Sequence, residues 1–170
     1  TPQQHRELYT ELLKEECASE TVTPRHVFWL CRELFRQHSW GSLLASCAAF
    51  LHYQNVWRVE KAHCLIMQAS AFRHTGKPQD AIKAYLQACD AAPQDREPWF
   101  EFGRMFYGEK QWAQAYGMFM QCLQIKDRAD HYLTHDNGWE HWPHYIAAVC
   151  MNTLGSPQAA AVHAKAAADY

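Results

Sequence analysis

The sequence predicts an all-α chain, a right-handed helical-hairpin array of the α-solenoid type, and three observations carry that prediction. One pattern occurs twice across residues 62–127: Ala69 matches Gly103, Phe72 matches Phe106, Ala81 matches Ala115, Tyr85 matches Phe119 and Ala88 matches Cys122, always 34 positions on. Small falls on small and aromatic on aromatic, which lets two antiparallel helices approach closely while large side chains fill the gap to the next pair. Finally, the seven Pro and seven Gly concentrate between the helical stretches, where such residues punctuate structure.

Residues 3–17 read as a leading helix with a narrow apolar face of Leu8, Leu12 and Leu13. Residues 20–23 form a polar break, and Pro24 opens the next helix, a position that tolerates a missing N–H. Residues 24–57 make a degenerate first repeat, with Cys31 at the small position, Leu34 at a large one and Trp40 as the counterpart of Trp112. Its Leu43, Cys47 and Phe50 fit the core pattern less well, as expected of a terminal unit that caps a stack. Residues 58–61 are extra and extend the following helix. Repeat two covers 62–95, turning at Gly76, Lys77 and Pro78 and ending at Pro93; repeat three covers 96–127, turning at 109–111. From Gly103 to the next small position, Ala148, is 45 residues rather than 34, so 11 residues are inserted, within 128–140. A fourth repeat, 141–170, keeps Ala148, Met151, Gly155, Ala160, Ala164 and Ala167 in register. Its second helix is rich in alanine, which favours helix but supplies little bulk.

A 34-residue period with this spacing is the signature of the tetratricopeptide repeat. The fold expected is therefore a leading helix and connector, 1–23, and one tetratricopeptide-like domain, 24–170. Beyond the period, the chain resembles the helical repeat region that follows the catalytic domain in some bacterial and phage nucleotide-sugar glycosyltransferases. Pro24, Arg25, Phe28, Trp29 and Leu30 look like that region's opening P-R-x-x-F-Y-L, and Trp57 with Glu60 like its W-x-x-E. Ala81, Ile82, Ala84, Tyr85 and Ala88 are similar to its E-A-I-x-A-Y-x-x-A; Glu97 and Pro98 match its E-P; Trp139, Pro143 and His144 resemble its W-x-x-x-P-H. Tyr145 stands where an Asp often follows P-H. The resemblance implies an accessory domain of a sugar-transfer protein, without the D-x-D of the catalytic half: Asp127 and Asp130 are spaced one residue too far.

Composition narrows the classes. Hydrophobic residues make up 48% and charged residues 20% of the 170 positions, the balance of a globular chain. A net charge of -2 argues against binding nucleic acid, and no run approaches the ~18 apolar residues of a membrane span. The seven cysteines are scattered with no C-x-x-C, which implies small buried hydrophobes in a reducing compartment, the cytoplasm or a host cytoplasm. The start at Thr1 suggests a piece excised from a longer protein.

Three groups of residues are candidates for function. By likeness to the repeat family, the first helices line a groove through Arg25, Phe28, Arg32, Arg36, His63, Ser70, Arg73, His74, Phe100, Arg104, Tyr107 and Asn152. Arginine dominates, and its fork binds carboxylate or phosphate bidentately, so an acidic peptide, an acidic loop of a partner domain or a phosphorylated sugar would suit it. The alternative is that these arginines pair with neighbouring carboxylates on a solvated face. A second group, His131, His135, Asp136, His141 and His144, has zinc-binding side chains; the competing reading is a hydrogen-bonded aromatic loop packed on repeat three. In the third group, Trp99, Phe100, Phe102, Phe106, Tyr107, Trp112, Tyr116 and Phe119 have core spacing, with Phe100 and Tyr107 expected to face the groove. The expected function is a non-catalytic interaction module with a protein or peptide partner, its own missing catalytic domain among them, and no cofactor. A stand-alone scaffold of a secretion, chaperone or virion assembly is the alternative.

Overall fold

The computed structural model describes residues 2–170, with side chains from Gln4 onward. Among the described residues its regular elements are all helices, with no strand. The chain divides into two compact units, residues 1–91 and Ala92–Tyr170.

The first unit holds α1 (Pro2–Cys17), α2 (Pro24–Arg36), α3 (Trp40–His52), α4 (Arg58–His74) and α5 (Pro78–Ala91). Helix α1 packs against α2, pinned where the Gln37 amide donates to Thr10 Oγ1 at 2.7 Å. Of its apolar face only Leu13 is buried; Leu8 and Leu12 remain 62% and 49% exposed. Pro24 does open α2, and 58–61 do extend α4. The first hairpin is no loose cap, because Leu43, Cys47 and Phe50 are all fully buried. The later pairs put the ring first and the small residue three on, Tyr85 then Ala88 and Phe119 then Cys122; here the sizes are exchanged, Cys47 then Phe50.

The second unit holds α6 (Arg96–Gly108), α7 (Trp112–Gln124), a single 3₁₀ turn (Asp136–Gly138), α8 (Trp142–Thr153) and α9 (Pro157–Ala168). Gly103 and Phe119 set the α6–α7 contact: a Cβ on Gly103 would lie 3.0 Å from the Phe119 ring.

Four first helices end in the same way. His38, Gly76, Lys110 and Gly155 all have positive φ, between 56° and 79°. The residue after each donates its N–H to the carbonyl five positions back: Ser39 to Leu34, Lys77 to Phe72, Gln111 to Phe106 and Ser156 to Met151, at 2.8–2.9 Å. With the companion bonds, such as Gly76 N–H to the Arg73 carbonyl at 3.1 Å, this is the Schellman ending that satisfies orphan helix carbonyls. The backbone thus repeats where the side-chain pattern is weakest, in the first and fourth hairpins.

Candidate functional site

The predicted groove residues fall in both units. In the first, Arg25 reaches from α2 to Glu60 of α4 at 3.4 Å; Glu60 is almost wholly buried and Arg25 exposed. Arg36 pairs with Glu33 one turn back. The Arg32 guanidinium lies over the Trp29 ring, 4.6 Å from its centre. Ser70 Oγ is 3.5 Å from the Tyr85 hydroxyl. His74 stacks flat on Trp40, with centroids 4.2 Å apart and planes 3° from parallel, and His38 stacks on Trp40 as well, at 5.1 Å. His63 is half-buried and Arg73 exposed.

In the second unit, Arg104 takes both oxygens of Glu101, at 3.0 and 3.2 Å. Tyr107 meets Trp112 edge-on at 5.5 Å, and Asn152 is exposed on α8. The solvated-face reading is therefore met at Arg25, Arg36 and Arg104, each with a carboxylate already at hand.

Two expected groove residues are core residues instead. Phe28 is fully buried, its ring 5.5 Å from that of Phe50, because Phe50 supplies the ring that Cys47 does not. Phe100 is 5% exposed and sits edge-on to Phe119 at 5.8 Å. Burial of both rings removes them as anchors for a partner. Phe102, Phe106 and Phe119 are core as expected, whereas Trp99, Tyr107, Trp112 and Tyr116 are half-buried.

The insertion explains the burial of Phe100. Gly138 lies over α6, where a Cβ would stand 3.5 Å from Arg96 and 3.8 Å from Phe100. Arg96 donates twice to the Ile125 carbonyl, at 2.6 and 2.8 Å, and once to that of Gly138 at 3.1 Å, and its guanidinium covers the Trp139 ring at 4.1 Å. Glu97 Oε1 accepts the His135 backbone N–H at 2.9 Å and the Trp139 indole N–H at 3.3 Å. By repeat register Glu97 corresponds to Arg25 and His63. The loop therefore sits on a stretch of α6 that the register assigns to the groove.

The histidines of the insertion are dispersed, and the stretch holding His131 and His135 is not helical. His131 Nε2 faces Asp95 at 3.5 Å, Asp136 pairs with Arg128, and His144 Nδ1 meets His163 Nδ1 of α9 at 3.1 Å. The packed-loop reading fits this arrangement. Burial lowers the pKa of both His144 and His163, and for His144 the neighbouring His163 lowers it further.

Sequence reasoning missed one cluster. Cys31 of α2, Cys47 of α3 and Cys64 of α4 bring their sulfurs within 4.8 Å of one another, all three buried. Separations of 16 and 17 residues match no ligand motif. The signal was the exchanged pair Cys47 and Phe50, which puts a thiol where later hairpins carry a ring.

A family model described as tetratricopeptide repeat matches residues 62–105. No curated protein matches the chain. Among solved structures, it is similar to MamA 41-end from Desulfovibrio magneticus RS-1, with a TM-score of 0.72, 13% identity, and 96% of this chain and 84% of that chain covered. A crystal structure of MamA gives 0.74 at 12% identity, covering 94% and 85%. BtubC (BKLC) from P. vanneervenii gives 0.74 at 15%, covering 98% and 72%. Identities this low carry the fold alone: an all-α, tetratricopeptide-type array of helical hairpins. No helix among the described residues is long and apolar enough to cross a membrane.

Proposed function

We propose that this chain is a non-catalytic interaction module that holds a protein or peptide segment with acidic side chains against the first helices of its hairpins. The observation that carries the reading is the exposed polar surface of those helices, Arg25, Arg36, Arg73, His74, Arg104 and Asn152, above a sealed apolar core. The ion pairs already present do not oppose it: Arg25 and Arg36 keep their buried partners Glu60 and Glu33 and still have further N–H donors to offer. Exposed pairs such as Arg104 with Glu101 contribute only about 0–1 kcal/mol, so an incoming carboxylate replaces the resident one at small cost. Specificity then comes from the bidentate geometry of arginine and from charge complementarity. Phe28 and Phe100 take no part; among the groove candidates, Tyr107 and His74, the latter stacked on Trp40, keep ring surface for a partner.

The test is affinity capture from an extract of the source organism in low salt. Arg32→Glu and Arg104→Glu together should reduce recovery of the captured protein at least about tenfold, as charge reversal in a complementary interface costs about 1 kcal/mol or more. Unchanged recovery would reject the groove.

A narrower part of the proposal attaches the module to a nucleotide-sugar glycosyltransferase, and the motif resemblance supports it. Several motif residues serve the architecture. Glu97 and Trp139 bond to one another between α6 and the insertion, and Pro143 is buried at the start of α8. They argue for a shared fold, a weaker matter than shared chemistry. A strand-helix domain carrying a D-x-D in the same open reading frame would support the attachment; a full-length product lacking one leaves the stand-alone scaffold.

A further inference from the structure

Three of the seven thiols differ from the rest. Cys89, Cys122 and Cys150 are buried singly, each on a different helix, and burial pushes their pKa up to about 12, 12 and 11. They behave as small hydrophobes. Cys31, Cys47 and Cys64 instead face one another. The Cys47 thiol lies 3.7 Å from the Cys64 carbonyl, and the Cys64 thiol 4.0 Å from that of Cys47.

The repeat pattern does not require sulfur here. At the register-equivalent positions the second hairpin and its successor carry Ala69, Tyr85 and Pro98, and the third and its successor carry Gly103, Phe119 and Pro143. A small residue, a ring and a proline recur at these places. In the first hairpin the ring has moved to Phe50, and three sulfurs stand there instead, one from each of three helices.

The geometry points to a buried metal site, and we propose that Cys31, Cys47 and Cys64 bind one cuprous ion in a three-coordinate all-sulfur site. Metal–sulfur bonds of about 2.3 Å set the sulfurs of a trigonal ion about 4 Å apart, and separations within 4.8 Å close to that with sub-ångström movement. All-thiolate donors select soft ions: copper(I), zinc or iron–sulfur clusters. Structural zinc takes four ligands, and so do iron–sulfur clusters. Among the described residues this group has three members and no histidine or carboxylate joins it. Its burial leaves little access for water as a fourth ligand. A monovalent soft ion content with three sulfurs remains. Binding the sulfurs as thiolates displaces the thiol protons to solvent, with no change in oxidation state, so affinity rises with pH.

The experiment titrates the whole chain with copper(I) under anaerobic conditions, against a chromophoric cuprous chelator. One ion per chain is expected. Cys31→Ala, Cys47→Ala and Cys64→Ala should each weaken binding by about 100-fold or more, at least the loss seen when mere supporting residues of metal sites are removed. Cys89→Ala and Cys122→Ala should bind as the parent does. Copper(I) should raise the melting temperature of the parent but not that of the triple variant. X-ray absorption on the copper-loaded parent, which needs no variant to fold, should show three sulfur neighbours. Absence of stoichiometric copper, two-sulfur coordination, or tight binding of zinc in preference to copper would each overturn the proposal. None of these outcomes bears on the groove, which uses other residues.

Discussion

Gly103 of α6 and Gly117 of α7 should respond to substitution with opposite signs. A Cβ at Gly103 meets the Phe119 ring at 3.0 Å, whereas one at Gly117 meets nothing within 4 Å. Gly103→Leu should therefore destabilise by about 2 kcal/mol through overpacking. Gly117→Ala, inside α7, should stabilise by about 0.5–1 kcal/mol by restricting the unfolded chain. Denaturant unfolding of the two variants checks both. The 34-residue offset made this contact legible, because it paired Gly103 with Ala69 and Phe119 with Tyr85. It did not make Phe28 and Phe100 legible. Register says which side of a helix a residue is on, while burial depends on what else comes to lie there: Phe50 in one case and the insertion in the other. Pairwise spacing likewise hid the three cysteines, which come from three helices.

At the scale of elements, the insertion is held on α6 by two adjacent side chains, Arg96 and Glu97. Arg96 is 4% exposed and serves the end of α7, the carbonyl of Gly138 and the face of Trp139 at once. Hydrogen bonds from a charged donor are worth about 1.5–3 kcal/mol each, and without Arg96 the Gly138 carbonyl keeps only the weak Cys122 thiol donor at 3.8 Å. Arg96→Ala should therefore free residues 128–140 while the helical content stays close to the parent's. Limited proteolysis followed by mass spectrometry checks this: cleavage within 128–140 should accelerate at least about tenfold, the equivalent of about 1.4 kcal/mol in the opening equilibrium. The sequence located this insertion by counting alone. Its anchoring was not readable, since Arg96 and Glu97 look like ordinary first-turn charges until the loop folds back on them. The Schellman endings were half readable. Gly76 and Gly155 announce a left-handed residue, but His38 and Lys110 occupy the same conformation without glycine's freedom.

For the whole molecule, stability should fall on acidification because of the His144–His163 pair. Both pKa values lie below the ordinary 6.5, so the unfolded chain takes up protons first as pH drops below about 6.5. Stability is full above that value and declines through the window beneath it. The groups facing the pair are Tyr116, Tyr170 and the cations Lys126 and Arg96, with no carboxylate among them to relieve the charge. Thermal melts of the parent and of the His144→Gln/His163→Gln variant should converge in slope above about pH 7, and the variant should lose less below about 6.5. The four turns bear on a different property, tolerance of added length. From small position to left-handed residue is seven steps in every hairpin (Cys31 to His38, Ala69 to Gly76, Gly103 to Lys110, Ala148 to Gly155), whereas the distance from one such residue to the next is 38, 34 and 45. All variation in length lies outside the hairpin bends. An epitope or reporter spliced into residues 54–55 or 126–128, which are exposed, should leave the protein folded, and the same graft at Gly76 or Gly155 should unfold it.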